Sequence, residues 1–178
     1  MSKPIQNIIL TGFMGTGKTS SGLILAGKTG RKFVDTDELI EKSAGMSVRD
    51  IFEKKGEKAF RILESKVIAA VSRGKGLVIA TGGGAVTSVV NVRNLRRAGK
   101  VFALVSHEKD ILKRVLREGK KRPLVNASTK AAALKKIRKL LKERTPLYTT
   151  HSDFVIDTTG LTPGTTAKKI LGIVSVYN

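Results

Sequence analysis

Residues Gly12-Phe13-Met14-Gly15-Thr16-Gly17-Lys18-Thr19 fit the pattern G-x-x-x-x-G-K-[ST]. Such a loop works only between a strand that delivers it and a helix that receives it. Both are foreseen here. The apolar run Ile5 to Leu10, β-branched at Ile5, Ile8 and Ile9, predicts a buried strand, and Lys18 to Lys28 predicts a helix. Glycines let the backbone curl so that successive N–H groups point inward, and the helix presents its positive end to an anion. Gly12, Gly15, Thr16, Gly17, Lys18, Thr19 and Ser20 are therefore expected to hold a phosphate chain. Lys18 would meet the β- and γ-phosphates, and the Thr19 hydroxyl would face Mg²⁺. The alternative is a glycine-rich turn without a ligand.

Behind the loop, apolar segments and helical periods alternate to the end of the chain, with no linker or repeat. Strand candidates are Ile5–Leu10, Lys32–Asp35, Leu77–Ala80, Val101–Val105 and Phe154–Asp157. Helices are predicted from Asp37, after Ser47, and from about Gly56 to Arg73. Further ones are predicted over Val86–Ala98, Lys109–Arg117, Ala131–Glu143 and Thr165–Val174. This alternation implies an α/β fold of three layers: a five-stranded parallel sheet with helices on both faces and ligands outside the carboxyl ends of the strands. The length suits a single domain spanning 1–178.

Composition narrows the partners. With no cysteine, neither disulfides nor thiolate metal sites exist. No stretch reaches membrane-spanning length and the first residues do not make a signal peptide, so a cytoplasmic protein without membrane partners is expected. The net charge of +20 falls mostly after residue 60, and Lys109–Arg144 holds fourteen basic residues against three acidic ones. Such a field draws anions. With no Trp and eight Phe and Tyr residues, however, little could build a base-stacking platform. A solvated basic surface with an anion site is expected, rather than specific nucleic-acid binding.

Several residues could carry chemistry. Asp35 and Asp37 end the second strand. If the segment stays extended they project to one side, where one carboxylate could organise Mg²⁺ and the other accept a proton. The alternative is a helix N-cap, with Asp37 capping and Asp35 solvated. Gly82-Gly83-Gly84 suits backbone approaching a ligand closely, or else a mobile turn. Arg61 could clamp a carboxylate with Glu64 holding it one turn away. Arg122, with Gly119 as a hinge, could ride a lid over a triphosphate, and Pro146 is expected to end the basic helix just after Arg144. Each arginine could instead be ordinary surface.

The ordered set Gly-Phe-Met-Gly-Thr-Gly-Lys-Thr, Phe-Val-Asp-Thr-Asp-Glu-Leu-Ile (33–40), Gly-Met-Ser-Val-Arg-Asp-Ile-Phe (45–52), Gly-Glu-Lys-Ala-Phe-Arg-Ile-Leu-Glu (56–64), Ile-Ala-Thr-Gly-Gly-Gly-Ala-Val (79–86), Arg-Pro-Leu (122–124) and Arg-Thr-Pro-Leu-Tyr (144–148) resembles the shikimate kinases. The resemblance implies a P-loop, nucleoside monophosphate kinase-like fold that transfers the γ-phosphate of ATP to the 3-hydroxyl of shikimate, with one Mg²⁺. It implies a substrate region at about 33–64 and a lid at about 113–126. Asp37 matches the family's catalytic base, with Lys18 and the lid residue Arg122 beside it in catalysis. Arg61 and Arg144 match the carboxylate-gripping arginines, and Gly82, Gly83 and Gly84 match the substrate-binding turn. Thr19 and Asp35 match the Mg²⁺ side, and adenine would pack near Arg114 and residues 159–163. A monomer is expected. Rival readings are a related kinase such as gluconate kinase, which leaves paired Arg61 and Arg144 unaccounted for, and a silent binding domain, which would lose Lys18 or Asp37.

Overall fold

The computed structural model describes residues 6–118 and 129–177. Its strands are β1 (Ile8–Gly12), β2 (Lys32–Asp35), β3 (Leu77–Ala80), β4 (Lys100–Val105) and β5 (Phe154–Asp157). They form one parallel sheet in the order β2-β3-β1-β4-β5. The helices are α1 (Lys18–Thr29), α2 (Thr36–Ala44), α3 (Val48–Val71), α4 (Val89–Ala98), α5 (Glu108–Glu118), α6 (Lys130–Thr150) and α7 (Pro163–Tyr177). A 3-10 turn, Ala85–Thr87, precedes α4, so the helix expected from Val86 begins at Val89 instead.

The apolar runs are continuous because both sheet faces are covered. Side chains alternate across the strand. Ile8 and Leu10 of β1 therefore pack with Leu25 of α1 and with Ala167, Ile170 and Val174 of α7. Ile9 points the other way, toward Ile68 of α3 and Leu95 of α4. On that second face Ala103 of β4 meets Ile111 and Val115 of α5 and Ile137 and Tyr148 of α6. The helix after β1 thus lies on one face and the helix after β3 on the other, which opens a crevice at the carboxyl ends of these neighbouring strands. One register row, Asp35–Ala80–Leu10–Phe102, aligns those ends.

Two expectations need correction. Pro146 does not end α6, which continues to Thr150. A proline inside a helix forfeits a hydrogen bond, but here Tyr148, 1% exposed, and partly buried Leu147 belong to the core beneath the helix. The Thr145 hydroxyl also donates to the Leu141 carbonyl at 2.7 Å. The helix persists because its last turn is packed. The helix foreseen from Gly56 is joined to the one opening at Ser47: α3 runs through both, with a non-helical break at Gly56 (φ 80°, ψ 169°).

Candidate active site

The crevice holds a cavity of about 940 Å³, lined along one side by residues 14–21 and along the other by α2, α3 and residues 81–84. Gly12, Gly15 and Gly17 have φ of 141°, 77° and 89°, which other residues rarely adopt. At Gly12 space forbids a side chain as well, since a Cβ would lie 2.3 Å from the Leu104 carbonyl oxygen. The Thr16 hydroxyl donates to the Phe13 carbonyl at 2.8 Å, and Lys18 Nζ donates to the carbonyls of Gly12 and Phe13 at 2.8 and 2.9 Å. The lysine is thus folded back over the loop mouth. Thr19 and Ser20 lie exposed in the first turn of α1 and line the cavity. Arg114 of α5 donates to the Gly15 carbonyl at 3.0 Å and lines the cavity. Arg122 and the lid residues from 119 to 126 lie outside the described residues.

Asp35 and Asp37 do reach one cavity, but not as alternating strand residues. Strand β2 stops at Asp35, whose carboxylate caps α2 by accepting from the Asp37 N–H at 2.9 Å. The capping role falls to Asp35, and Asp37 sits in the first helical turn. The other Asp35 oxygen accepts from the Thr19 hydroxyl at 3.0 Å, joining the loop helix to β2. A hard cation held by a hydroxyl, a carboxylate, phosphates and waters fits this pair. Among the described residues no group of three or more acidic or His side chains could hold a metal unaided.

Opposite the loop stands a charge cluster built on α3 and α6. Arg61 donates to Glu64 at 2.8 Å through one terminal nitrogen, and to Glu57 at 2.8 and 3.2 Å through the other and through Nε. Burial works against the Arg61 charge, yet the two carboxylates outweigh it and its pKa rises. The Glu64 side chain is 1% exposed, and burial raises its pKa against the pull of Arg61 and Arg144. Arg144 is 6% exposed, and one of its terminal nitrogens is buried without a hydrogen-bond partner. A buried guanidinium with an open donor suits an anionic group brought by a ligand.

The triple glycine has a cause that its sequence did not reveal. A Cβ on Gly84 would lie 2.2 Å from an Arg61 terminal nitrogen, and one on Gly82 would lie 2.6 Å from an Asp37 carboxylate oxygen. Gly83 meets nothing closer than 3.6 Å. Gly82 and Gly84 therefore make room for site side chains. Three further residues went unsingled in the sequence. Thr36, buried, accepts from the Gly82 N–H at 3.0 Å. Phe52 and Phe60, with ring centroids 4.6 Å apart, wall the cavity beside Arg61. The apolar stripe of α3 could have flagged the phenylalanines as core, not as a pocket wall.

A phosphate loop, an acidic pair and an arginine cluster facing one crevice of a five-stranded parallel sheet define a P-loop kinase, an ATP-dependent phosphotransferase. Comparison with known proteins specifies which. The sequence profile of the shikimate kinase family matches residues 14–175. The chain is 45% identical to the shikimate kinase of Thermodesulfovibrio yellowstonii over 167 residues, 94% of each chain. It is 44% identical to that of Caldicellulosiruptor bescii, over 95% of each. Its fold matches the Acinetobacter baumannii shikimate kinase solved with shikimate, at TM-score 0.91 and 39% identity, covering 97% of this chain and 94% of that one. The Aquifex aeolicus shikimate kinase matches at TM-score 0.81 and 31% identity, over 95% and 96%. The chain belongs to the shikimate kinase family.

Proposed function

We propose that the chain transfers the γ-phosphoryl group of ATP to the 3-hydroxyl of shikimate, with Asp37 as base and Arg61 and Arg144 gripping the substrate carboxylate. The observation that carries this reading is the open donor of buried Arg144, in the same cavity as Asp37 and the phosphate loop. Shikimate carries a carboxylate and hydroxyls on one small ring. The Phe52–Phe60 wall would take the ring's apolar side, and the arginines its carboxylate.

In this reading Asp37 accepts the hydroxyl proton as the oxygen–phosphorus bond forms and the bond to the β-phosphate oxygen breaks, leaving ADP. Lys18, freed from the loop carbonyls, would turn to the β- and γ-phosphates, and Arg122 would come from the lid. Gly83 would present backbone to the substrate, with Gly82 and Gly84 holding the turn. Arg114 and residues 159–163 would flank the adenine. Thr19 and Asp35 would hold one Mg²⁺, which neutralises triphosphate charge when bound. A monomer is part of this reading. No described helix is long and apolar enough to cross a membrane. A cytoplasmic enzyme without a specific nucleic-acid partner completes the reading.

The test is ADP release with Mg-ATP and shikimate, gluconate or no acceptor. Shikimate-dependent turnover is expected. ATP binding without turnover on any acceptor would refute the reading. Asp37→Asn should remove most turnover, on the order of 10²–10⁴-fold, with ATP affinity unchanged. Retained turnover would exclude Asp37 as the base.

A further inference from the structure

The pairing of Arg144 with Tyr148 on α6 is not explained by phosphoryl transfer alone. The two lie four residues apart and so share one helix face. Tyr148 is 1% exposed and sits in the cluster of Phe13, Met14, Val86 and Ile137. A tyrosine used only for packing needs no hydroxyl, and a buried hydroxyl demands a partner. Here it donates to the Gly83 carbonyl, the middle residue of the triple-glycine turn. The same corner brings in the nucleotide loop: a Cβ on Gly83 would lie 3.6 Å from each of the Tyr148 hydroxyl, the Gly12 carbonyl oxygen and the Met14 nitrogen. Arg144 lies close enough to favour the phenolate, yet burial prevails and keeps the phenol protonated, a donor.

We infer that Tyr148 is a positioning residue for shikimate: its hydroxyl ties the Gly83 turn to α6, setting that turn and the Arg144 guanidinium at a fixed spacing. The substrate then meets both from one rigid frame. This inference rests on the functional reading above, in which the turn and Arg144 hold the substrate. Pro146 fits the arrangement. The helix passes through it because the turn that follows has to deliver Tyr148 to the corner.

Tyr148→Phe removes one hydroxyl and keeps the ring among Phe13, Met14 and Ile137. Calorimetric titration of shikimate, alongside the KM for shikimate and for ATP, separates a positioning role from a merely structural one. Shikimate Kd and KM should rise about tenfold, the effect of leaving a buried carbonyl unpaired and its turn unanchored, with the ATP KM within about twofold. Tyr177→Phe, the same chemical change at the C-terminal helix, should move neither. A Phe variant with unchanged shikimate affinity, or with both KM values raised alike, would overturn the inference. Because affinity is read without turnover, a wild type that binds shikimate but does not phosphorylate it would sink the functional reading and still decide the role of Tyr148.

Should the Phe variant fail to fold, the wild type itself gives the answer. The chain has two tyrosines, so tyrosine labelled with ¹³C at Cζ yields two signals, assigned through Tyr177→Phe. Shikimate should shift the Tyr148 signal. An unmoved signal at saturating shikimate would overturn the inference as well.

Discussion

Alanine placed in turn at Gly82, Gly83 and Gly84 separates the functions of three adjacent residues. Gly84 has φ −96° and ψ −7°, a conformation open to any residue, so Gly84→Ala carries no backbone strain. Its cost is the Cβ 2.2 Å from an Arg61 nitrogen, where ordinary contact begins at 3.4 Å. That nitrogen must retreat by 1.2 Å, the difference of the two. It is the one bonded to Glu64 at 2.8 Å. Losing a charged bond to a buried carboxylate costs ~1–3 kcal/mol, and each kcal/mol lowers Tm by roughly 2–4 °C at this chain length. The guanidinium would also leave the position from which it meets a carboxylate, so shikimate KM should rise by about tenfold or more while ATP KM holds. Gly82→Ala presses instead on Asp37 and Glu64, at 2.6 and 3.0 Å, and should lower kcat. Gly83→Ala meets only ordinary contacts within the protein and should be the mildest for thermal stability. Steady-state kinetics with both substrates and a thermal melt of each variant read the pattern. If Gly83→Ala proved the most damaging to thermal stability, or Gly84→Ala left shikimate KM unchanged, the steric argument would be wrong.

Two further outcomes are expected. The Glu64 pKa is raised in the fold above its ordinary 4.5, so the native state holds that proton more tightly than the unfolded chain. The contribution is full below about pH 4.5 and is lost as pH rises through the folded value. Glu64→Gln should therefore gain denaturant stability relative to wild type as pH rises above about 4.5, while raising shikimate KM; a stability difference that stays flat with pH would contradict the burial argument. Asp35→Ala removes both the α2 cap and the partner of Thr19, and should cost ~0.5–2 kcal/mol with a higher Mg²⁺ requirement for turnover. An unchanged Mg²⁺ titration would exclude Asp35 from the metal side.

The centre of the sheet was legible because its inner strands are buried on both faces, which writes β3 as the unbroken apolar run Leu77–Ala80. The phosphate loop was legible because positive φ at Gly15 and Gly17 restricts sequence strongly. What escaped was in part local and outweighed by a competing pattern, and in part depended on partners distant in the chain. Asp35 followed three residues later by Glu38 is a helix-start signature, and it outweighs the alternation that would have kept Asp35 and Asp37 in one strand. Pro146 is a true local stop signal, overridden by the packing of Tyr148 and Leu147. The triple glycine reads as backbone approaching a ligand, and nothing local could say that Asp37 and Arg61 are what crowd Gly82 and Gly84.

The strand order has a consequence for how the molecule comes into being. Ile8 pairs with Val78 on one side and with Lys100 on the other. The nucleotide loop at the end of β1 rests on Leu104, which leaves no room beside Gly12. During synthesis from the N-terminus, the motif that emerges first has no support until β3 and then β4 have followed it. Long-range parallel pairing is slow, since loop closure is unrewarded until the distant strands meet. A nascent chain arrested before residue 105 should therefore remain protease-sensitive at its own phosphate loop, the first part written and among the last to take shape.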